Sequence, residues 1–335
     1  MGVGSIASKA LYRKAILRLV ININCFNEEQ TLPQVLDDLP EVLPGISEIR
    51  IQIIDDGSSD KTADIARQHS THLIQHKQNR GLGHAFKTGV DAAISSGCDI
   101  FLNTDGDHQY PAASIPALIQ PILAGQADIV IGNRQPWTVE HFSPLKRIFH
   151  RISNFLVNQL IDVRVPDTVS GFRAYSADAL MRLNPSVGYS YTLDTIVQAD
   201  RKGLRIRSIP IPVNAPTRPS RLYANIYQYM LQSSINILWT YIVYKPFTTF
   251  NLAAVFFLFP AAFLLLRFLN FYLHGQGNGH IQSLIISTIG FSLTGILFSL
   301  GVIAKLISYN RNFIEELLFQ EKMRRWHQAR SSSEI

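Results

Sequence analysis

The chain has 335 residues, 47% hydrophobic and 17% charged, with a formal net charge of +6 and a pI near 9.3. That length accommodates one sizeable α/β domain plus an appendage, and a mean hydropathy of +0.09 means that an apolar excess is concentrated somewhere along it. The basic balance calls for an anionic partner, and lipid or phosphate fits better than nucleic acid because no recognition motif interleaves with the Lys and Arg residues. Cys25 and Cys98 stand outside any CxxC or His-rich context, which points to neither disulfide nor zinc.

Residues 1–16 read as a tail or a short basic surface helix. Lys9, Arg13, Lys14 and Arg18 interrupt its apolar residues, so no signal peptide is expected, and Ile6 stands where a myristoylation site needs Ser or Thr. From 17 to 220, short β-branched runs alternate with helical patterns, which predicts a mainly parallel, Rossmann-like α/β sheet covered on both faces. The predicted strands are 17–24, 49–54, 72–75, 100–103, 129–132 and 206–213, and the predicted helices 28–39, 61–69, 83–95, 112–123 and 191–202. The segment 143–161 carries Lys146, Arg147, His150 and Arg151 among Ile148, Ile152 and Phe155; it reads as an amphipathic basic helix, resting either on anionic headgroups or on the core with a solvated side.

Residues 221–245 suit an interfacial helix leading into a bilayer. Two charge-free stretches follow, 246–266 with 21 residues and 281–304 with 24. At about 1.5 Å per residue each spans roughly 30 Å or slightly more, the thickness of a hydrocarbon core, so they predict a transmembrane hairpin in which Pro260 is tolerable. The joining loop 267–280 holds one Lys or Arg, against six in 305–330 and seven in 201–245. That bias predicts a cytosolic domain, an outside loop and a cytosolic tail over 305–335.

Two predicted strand ends carry acids. Asp55-Asp56-Gly57-Ser58 turns through glycine into a helix, at the carboxyl end of a strand where doubly wound sheets collect ligands; a helix cap at Ser59 or Asp60 would explain one residue but not two preceding acids. Asp105-Gly106-Asp107 ends another strand about fifty residues later, putting two carboxylates within reach of one hard divalent cation that can bridge a nucleotide diphosphate.

On these motifs the chain resembles the family 2 glycosyltransferases, within them the dolichyl-phosphate mannose synthase and undecaprenyl-phosphate glycosyltransferase group. The resemblance covers about 17–222 and implies a GT-A fold carrying inverting transfer of a sugar from a GDP- or UDP-sugar to a polyisoprenyl phosphate, with Mg²⁺ or Mn²⁺, at the cytosolic face of a membrane. It implies that Asn24, Phe26 and Glu28 hold base and ribose, although Asn24 and Phe26 depart from the family's pattern. Ile54 and Asp56 match nucleotide-contacting positions; Asp105, Gly106, Asp107 and Gln109 match the metal and diphosphate segment, with Asp105, Asp107 and Gln109 as ligands. Arg134, in Gly132-Asn133-Arg134, matches a phosphate-facing arginine, and Ser170, Gly171 and Phe172 match the segment near the acceptor phosphate. Arg218 and Arg221 are further phosphate candidates, because arginine's fork suits phosphate oxygens. Pro166 occupies the position of a family arginine, for which Arg164 is the substitute.

Asp107, Arg134 and Arg221 are thus expected to carry the chemistry. The acceptor phosphate is already an anion, so the nucleophile needs positioning and little deprotonation. Competing readings are a transferase acting on another lipid or a polysaccharide, and an inert nucleotide-binding membrane scaffold. Lys322 stands where the Gln-x-x-Arg-Trp of processive synthases needs Gln, and the intact Asp105, Asp107 and Gln109 weigh against the scaffold. A lipid bilayer is the expected partner, nucleic acid is not, homo-oligomerisation is left open, and a bacterial or archaeal cell membrane is expected before the endoplasmic reticulum.

Overall fold

The computed structural model describes residues 17–69, 71–135, 144–185, 190–215 and 226–332. The expected N-terminal surface helix at 1–16 therefore lies outside the described residues. The chain divides into two compact units, one made of the residues up to Ser233 together with those from Leu317 onward, the other of Ser234–Glu316.

The first unit is built on a seven-stranded sheet in the order β3-β2-β1-β4-β6-β5-β7. Its strands are β1 (Arg18–Cys25), β2 (Glu48–Asp55), β3 (His72–Gln75), β4 (Ile100–Asp105), β5 (Ile129–Asn133), β6 (Arg173–Ser176) and β7 (Ile206–Pro210). All six predicted strands are present. The unpredicted β6 runs antiparallel between β4 and β5, while the other pairings are parallel. β7 stops at Pro210, short of the predicted 213, in keeping with a residue that cannot donate to a ladder.

Helices α1 (Leu32–Asp37), α2 (Thr62–Gln68), α3 (Leu82–Ser95), α4 (Ile115–Leu123), α5 (Pro144–Asn158), α6 (Ala177–Arg182) and α7 (Tyr191–Arg201) connect the strands. α1 is shorter than the predicted 28–39 because Asn27, at φ 57°, and the Glu28 region form a turn, with Glu28 O accepting from the N–H of both Thr31 and Leu32.

β1 is buried along its whole length, and its two faces differ. Leu19, Ile21, Ile23 and Cys25 join Ile53, Leu102, Leu118 and Phe172 in the apolar core, where each fully buried aliphatic side chain contributes about 1.5–3 kcal/mol. The opposite face carries an amide ladder. Gln52 Nε2 donates to Asn22 Oδ1 at 2.8 Å and to Gly89 O at 2.9 Å, Asn22 and Asn24 Nδ2 both donate to Asn103 Oδ1 at 2.9 Å, and Asn103 Nδ2 reaches Gly171 O at 2.9 Å. Buried amides cost free energy unless they are paired; here they fix the register of β2, β1 and β4 beneath the ends of those strands.

α8 (Ile226–Tyr244), α9 (Pro246–Leu273) and α10 (Ile281–Ser331) complete the chain. α9 and α10 are each long and apolar enough to cross a membrane. Within the second unit they approach through small residues: a Cβ on Gly290 would lie 2.7 Å from Ala261 Cβ, and Ser287 Oγ donates to Ala261 O at 2.9 Å, the packing that membrane helices favour.

α10 does not end with its apolar stretch but runs on through most of the segment predicted as a tail. Its last turns belong to the first unit. There Lys322 Nζ donates to Leu183 O at 2.6 Å and Asn184 Oδ1 at 2.9 Å, Trp326 Nε1 donates to Cys98 O at 2.6 Å, and Arg330 pairs with Asp99 at 2.6 Å while lying over the Trp326 ring.

Candidate active site

Four loops meet at the carboxyl ends of β1, β2, β4 and β5. The Asp55–Ser58 turn is closed by Ser58 N–H donating to Asp55 Oδ1 at 3.0 Å. Gly57 sits at φ 76°, and a Cβ there would fall 2.4 Å from the backbone of Gln78, so only glycine fits under the 77–80 segment. Asp56 fastens that segment: its carboxylate accepts from Arg80 N–H at 3.0 Å and Gly81 N–H at 2.7 Å and lies 2.6 Å from His76 Nδ1. Ile54 is wholly buried.

The β1 end packs against the β4 end. Gly106 N–H donates to Asn24 O at 3.0 Å, Thr31 Oγ1 donates to Gly106 O at 2.7 Å and to Glu28 Oε2 at 2.9 Å, and Glu28 N–H is held by Thr62 Oγ1 at 2.8 Å. Asn24 and Glu28 are buried and Phe26 half-buried. The Asn24 side chain is committed to the amide ladder, which accounts for asparagine at a position where the family pattern differs. Burial, and then the carboxylates of Glu28, Asp55, Asp105 and Asp107, hold the Cys25 thiol well above its ordinary value, a measure of how electronegative the site is.

Asp105, at the end of β4, lies among these acids. Burial, reinforced by Asp107 and Glu28 and opposed by Arg134, pushes its carboxyl up to about 7. Its Oδ1 is buried with no hydrogen-bond partner among the described residues. A buried carboxylate oxygen without a donor, beside a second carboxylate, is what a hard divalent cation repays. Asp105 and Asp107 therefore fit a metal. Gln109, on the same turn, has its N–H on Asp107 Oδ1 at 3.0 Å and its carbonyl on Asn214 N–H at 3.0 Å.

On the β5 side, Arg134 forms a two-pronged pair with the fully buried Asp167, Nε to Oδ2 at 2.8 Å and Nη2 to Oδ1 at 3.0 Å. Its positive charge lowers the proton affinity of Asp105 and of Tyr110, although burial still lifts the Tyr110 phenol to about 12. The segment 170–172 lies over Asp105. Gly171 N–H donates to Tyr110 Oη at 3.3 Å, and a Cβ on Gly171 would come 3.0 Å from Asp105 Oδ2 and 3.1 Å from Tyr191 Oη. Phe172 stacks on Tyr110 with ring centroids 5.0 Å apart. Ser170 is buried, and the wholly buried Arg173 ties the segment to α7 through Thr192 O at 2.8 Å and Thr195 Oγ1 at 3.0 Å.

The structure thus brings together Glu28, Asp105, Gly106, Asp107, Arg134, Gly171 and Phe172. Arg164 is exposed, on a turn whose Asp162 and Val163 N–H groups donate to Asp200 Oδ1 at 3.0 and 3.3 Å. Arg218 and Arg221 lie outside the described residues. Three contributors went unread in the sequence. Asp167 could have been found as the acid just before Ser170-Gly171-Phe172, whereas Tyr110 and Tyr191 carry no local signal and join only through tertiary packing.

A mainly parallel sheet with an acidic strand end at its β1/β4 switch point and a paired arginine just after β5 has the architecture of a glycosyltransferase of the GT-A type. In keeping with this, the chain matches a solved structure of glucosyl-3-phosphoglycerate synthase from Mycobacterium tuberculosis, in complex with Mn²⁺, UDP-glucose and phosphoglyceric acid, with TM-score 0.54 and 21% identity over 66% of this chain and 79% of that one. The family model described as Glycosyl transferase family 2 matches residues 20–183. The undecaprenyl-phosphate mannosyltransferase of Micrococcus luteus is 26% identical over 206 residues, 58% of this chain and 83% of that protein, and protein RfbJ of Shigella flexneri is 31% identical over 119 residues, 35% of this chain and 85% of that protein. The chain belongs to glycosyl transferase family 2.

Proposed function

We propose that this glycosyltransferase moves a sugar, with inversion, from a nucleotide-sugar to a polyisoprenyl phosphate at the cytosolic face of a membrane. The observation that carries the reading is the buried Asp105 carboxyl, one oxygen of which has no donor among the described residues, next to Asp107 and within the field of Arg134. The name of the Micrococcus relative supports the acceptor class.

Asp105 and Asp107, with Gln109 the candidate third ligand, would hold a divalent cation, which would supply charge neutralisation to a departing diphosphate. The chain's own groups do the rest. The turns at Asp55–Ser58 and Asn27–Glu28 wall the nucleotide pocket, with Asp56 holding the 77–81 segment in place. Arg134, its plane fixed by Asp167, addresses phosphate oxygens with a pre-oriented guanidinium. Gly171 lets the 170–172 segment lie close over Asp105. An acceptor phosphate arriving as an anion needs orientation rather than a base.

A cytosolic placement of domain and C-terminus is supported by the distribution of Lys and Arg and by the return of the chain to the first unit at Leu317, since a hairpin of two crossings ends on the side where it began. The function is tested by incubating the purified full chain with a panel of GDP- and UDP-sugars, Mg²⁺ or Mn²⁺ and a polyisoprenyl phosphate, and looking for the glycolipid by mass. Sugar appearing only on another acceptor, or no product with any donor, defeats it.

A further inference from the structure

α5 is set into the first unit the wrong way round for a helix of a water-soluble protein. Its inward face carries polar residues: Ser153 and Asn154 are buried beside Val157. Asn154 Oδ1 accepts from Thr168 N–H at 3.1 Å and Thr168 Oγ1 at 2.6 Å, and its Nδ2 donates to Pro166 O. Asn158 exchanges two bonds with Val165, Oδ1 accepting from its N–H at 2.8 Å and Nδ2 donating to its carbonyl at 3.0 Å. The opposite face exposes Ile148 59%, Ile152 50% and Phe155 62%, with Arg151 and Gln159 exposed among them. Their i, i+4, i+7 spacing lines them up along one side of the helix. A surface helix ordinarily buries such a stripe and exposes its asparagines; here the asparagines do the docking and the stripe is left to another phase.

We propose that this outward stripe of α5 is a membrane-docking surface that lies in the headgroup region of an anionic bilayer, with Ile148, Ile152 and Phe155 inserted at the acyl boundary. Two observations select lipid as the occupant. The helix carries Lys146, Arg147, His150 and Arg151 and no acidic residue, and Arg151 is exposed. A basic helix with an apolar face binds anionic lipid by burial and charge together. The chain has two helices able to cross a membrane, so a bilayer is at hand. The inward asparagines grip residues 165–168, and Asp167 within that stretch holds Arg134. Lipid that seats α5 thereby sets the height above the membrane of the arginine assigned to phosphate, while the docking itself presupposes nothing about sugar or acceptor.

The test uses the full chain in nanodiscs with a bimane fluorophore on Ile152→Cys, on Phe155→Cys, and on Val42→Cys as a control at an 82% exposed position. Cys25 and Cys98 are buried and their thiols pushed up, so the introduced cysteines label selectively. With phosphatidylglycerol present, a nitroxide lipid labelled near the headgroup should quench the Ile152 and Phe155 probes at least two-fold while aqueous iodide quenches them weakly. The Val42 probe should show the reverse, and replacing the anionic lipid by phosphatidylcholine should diminish the lipid quenching. Iodide access at positions 152 and 155 equal to that at Val42 overturns the proposal. So does iodide protection without lipid quenching, accompanied by disulfide formation between Ile152→Cys copies, which gives the surface to a second copy of the chain.

Discussion

Asp167→Asn keeps the shape of the side chain that holds Arg134 and removes its charge. In the native protein Asp167 is fully buried and accepts Arg134 Nε at 2.8 Å and Nη2 at 3.0 Å, with Val169 N–H at 3.3 Å. The substitution turns one oxygen into an N–H donor facing a guanidinium N–H, leaving a largely buried cation without its counter-charge. Removing one partner of a buried pair costs about 3–5 kcal/mol, a large share of a domain stability of about 5–15 kcal/mol. At about 2–4 °C per kcal/mol for a domain of this size, the temperature of half-inactivation should fall by about 6–20 °C. Arg134→Lys keeps the charge and loses the fork, so its stability cost should be smaller, about 1–2 kcal/mol, but turnover should drop by about 10²–10³, the usual effect of losing one pre-oriented charge-stabilising donor. Asp167 acts as a positioning residue for Arg134, and therefore glycolipid turnover in the double variant should be no worse than in Arg134→Lys alone. Rates measured at saturating donor, with thermal inactivation in parallel, separate the two effects. Additive losses of turnover in the double variant, or Arg134→Lys at the parental rate, refute the assignment.

Asp107→Ala should leave the half-inactivation temperature within a few degrees of the parent while removing nearly all transfer, and transfer persisting at full rate in excess chelator would show that no divalent cation is used. Gly171→Ala places a methyl carbon 3.0 Å from Asp105 Oδ2 and 3.1 Å from Tyr191 Oη; a cost of about 1–3 kcal/mol with loss of activity is expected, and a fully active, equally stable variant would mean the segment yields freely. Lys322 is buried and its ammonium lowered to about 8, first by desolvation and further by Lys202, Lys87 and Arg325, against the pull of Asp91. Because its docked form binds protons less tightly than the free side chain at 10.5, docking of the last turns of α10 should tighten as pH rises from 8 to 10.5, by up to about 3 kcal/mol. Proteolytic cleavage around Trp326 should slow over that window, and Lys322→Met should flatten the dependence; cleavage that accelerates with pH in the native chain contradicts it once protease activity is normalised. A cysteine replacing Gln276 should react with an impermeant thiol reagent added outside intact cells while one replacing Ser332 should not, and labelling at 332 alone would invert the proposed orientation.

The sequence by itself determined what is local. Runs such as Leu19 to Ile23 announce strands because a buried parallel sheet demands apolar β-branched residues on consecutive positions, and strand ends bearing Asp55-Asp56-Gly57 or Asp105-Gly106-Asp107 announce a ligand site because paired acids at a turn have few structural uses. The two membrane-length helices followed from the absence of charge, a property of composition alone. Tertiary structure decided the rest. β6 is four residues long and lies between strands distant in sequence, so neither length nor periodicity reveals it. The pairing of Arg134 with Asp167, and the convergence of Tyr110 and Tyr191 on Gly171, join residues tens of positions apart whose meeting depends on strand order. The return of Lys322, Trp326 and Arg330 to the first unit follows from where a helix ends in space. The outward stripe of α5 is the plainest case: an amphipathic pattern fixes that a helix has two faces, and only the hydrogen bonds of Asn154 and Asn158 decide which of them the protein keeps for itself.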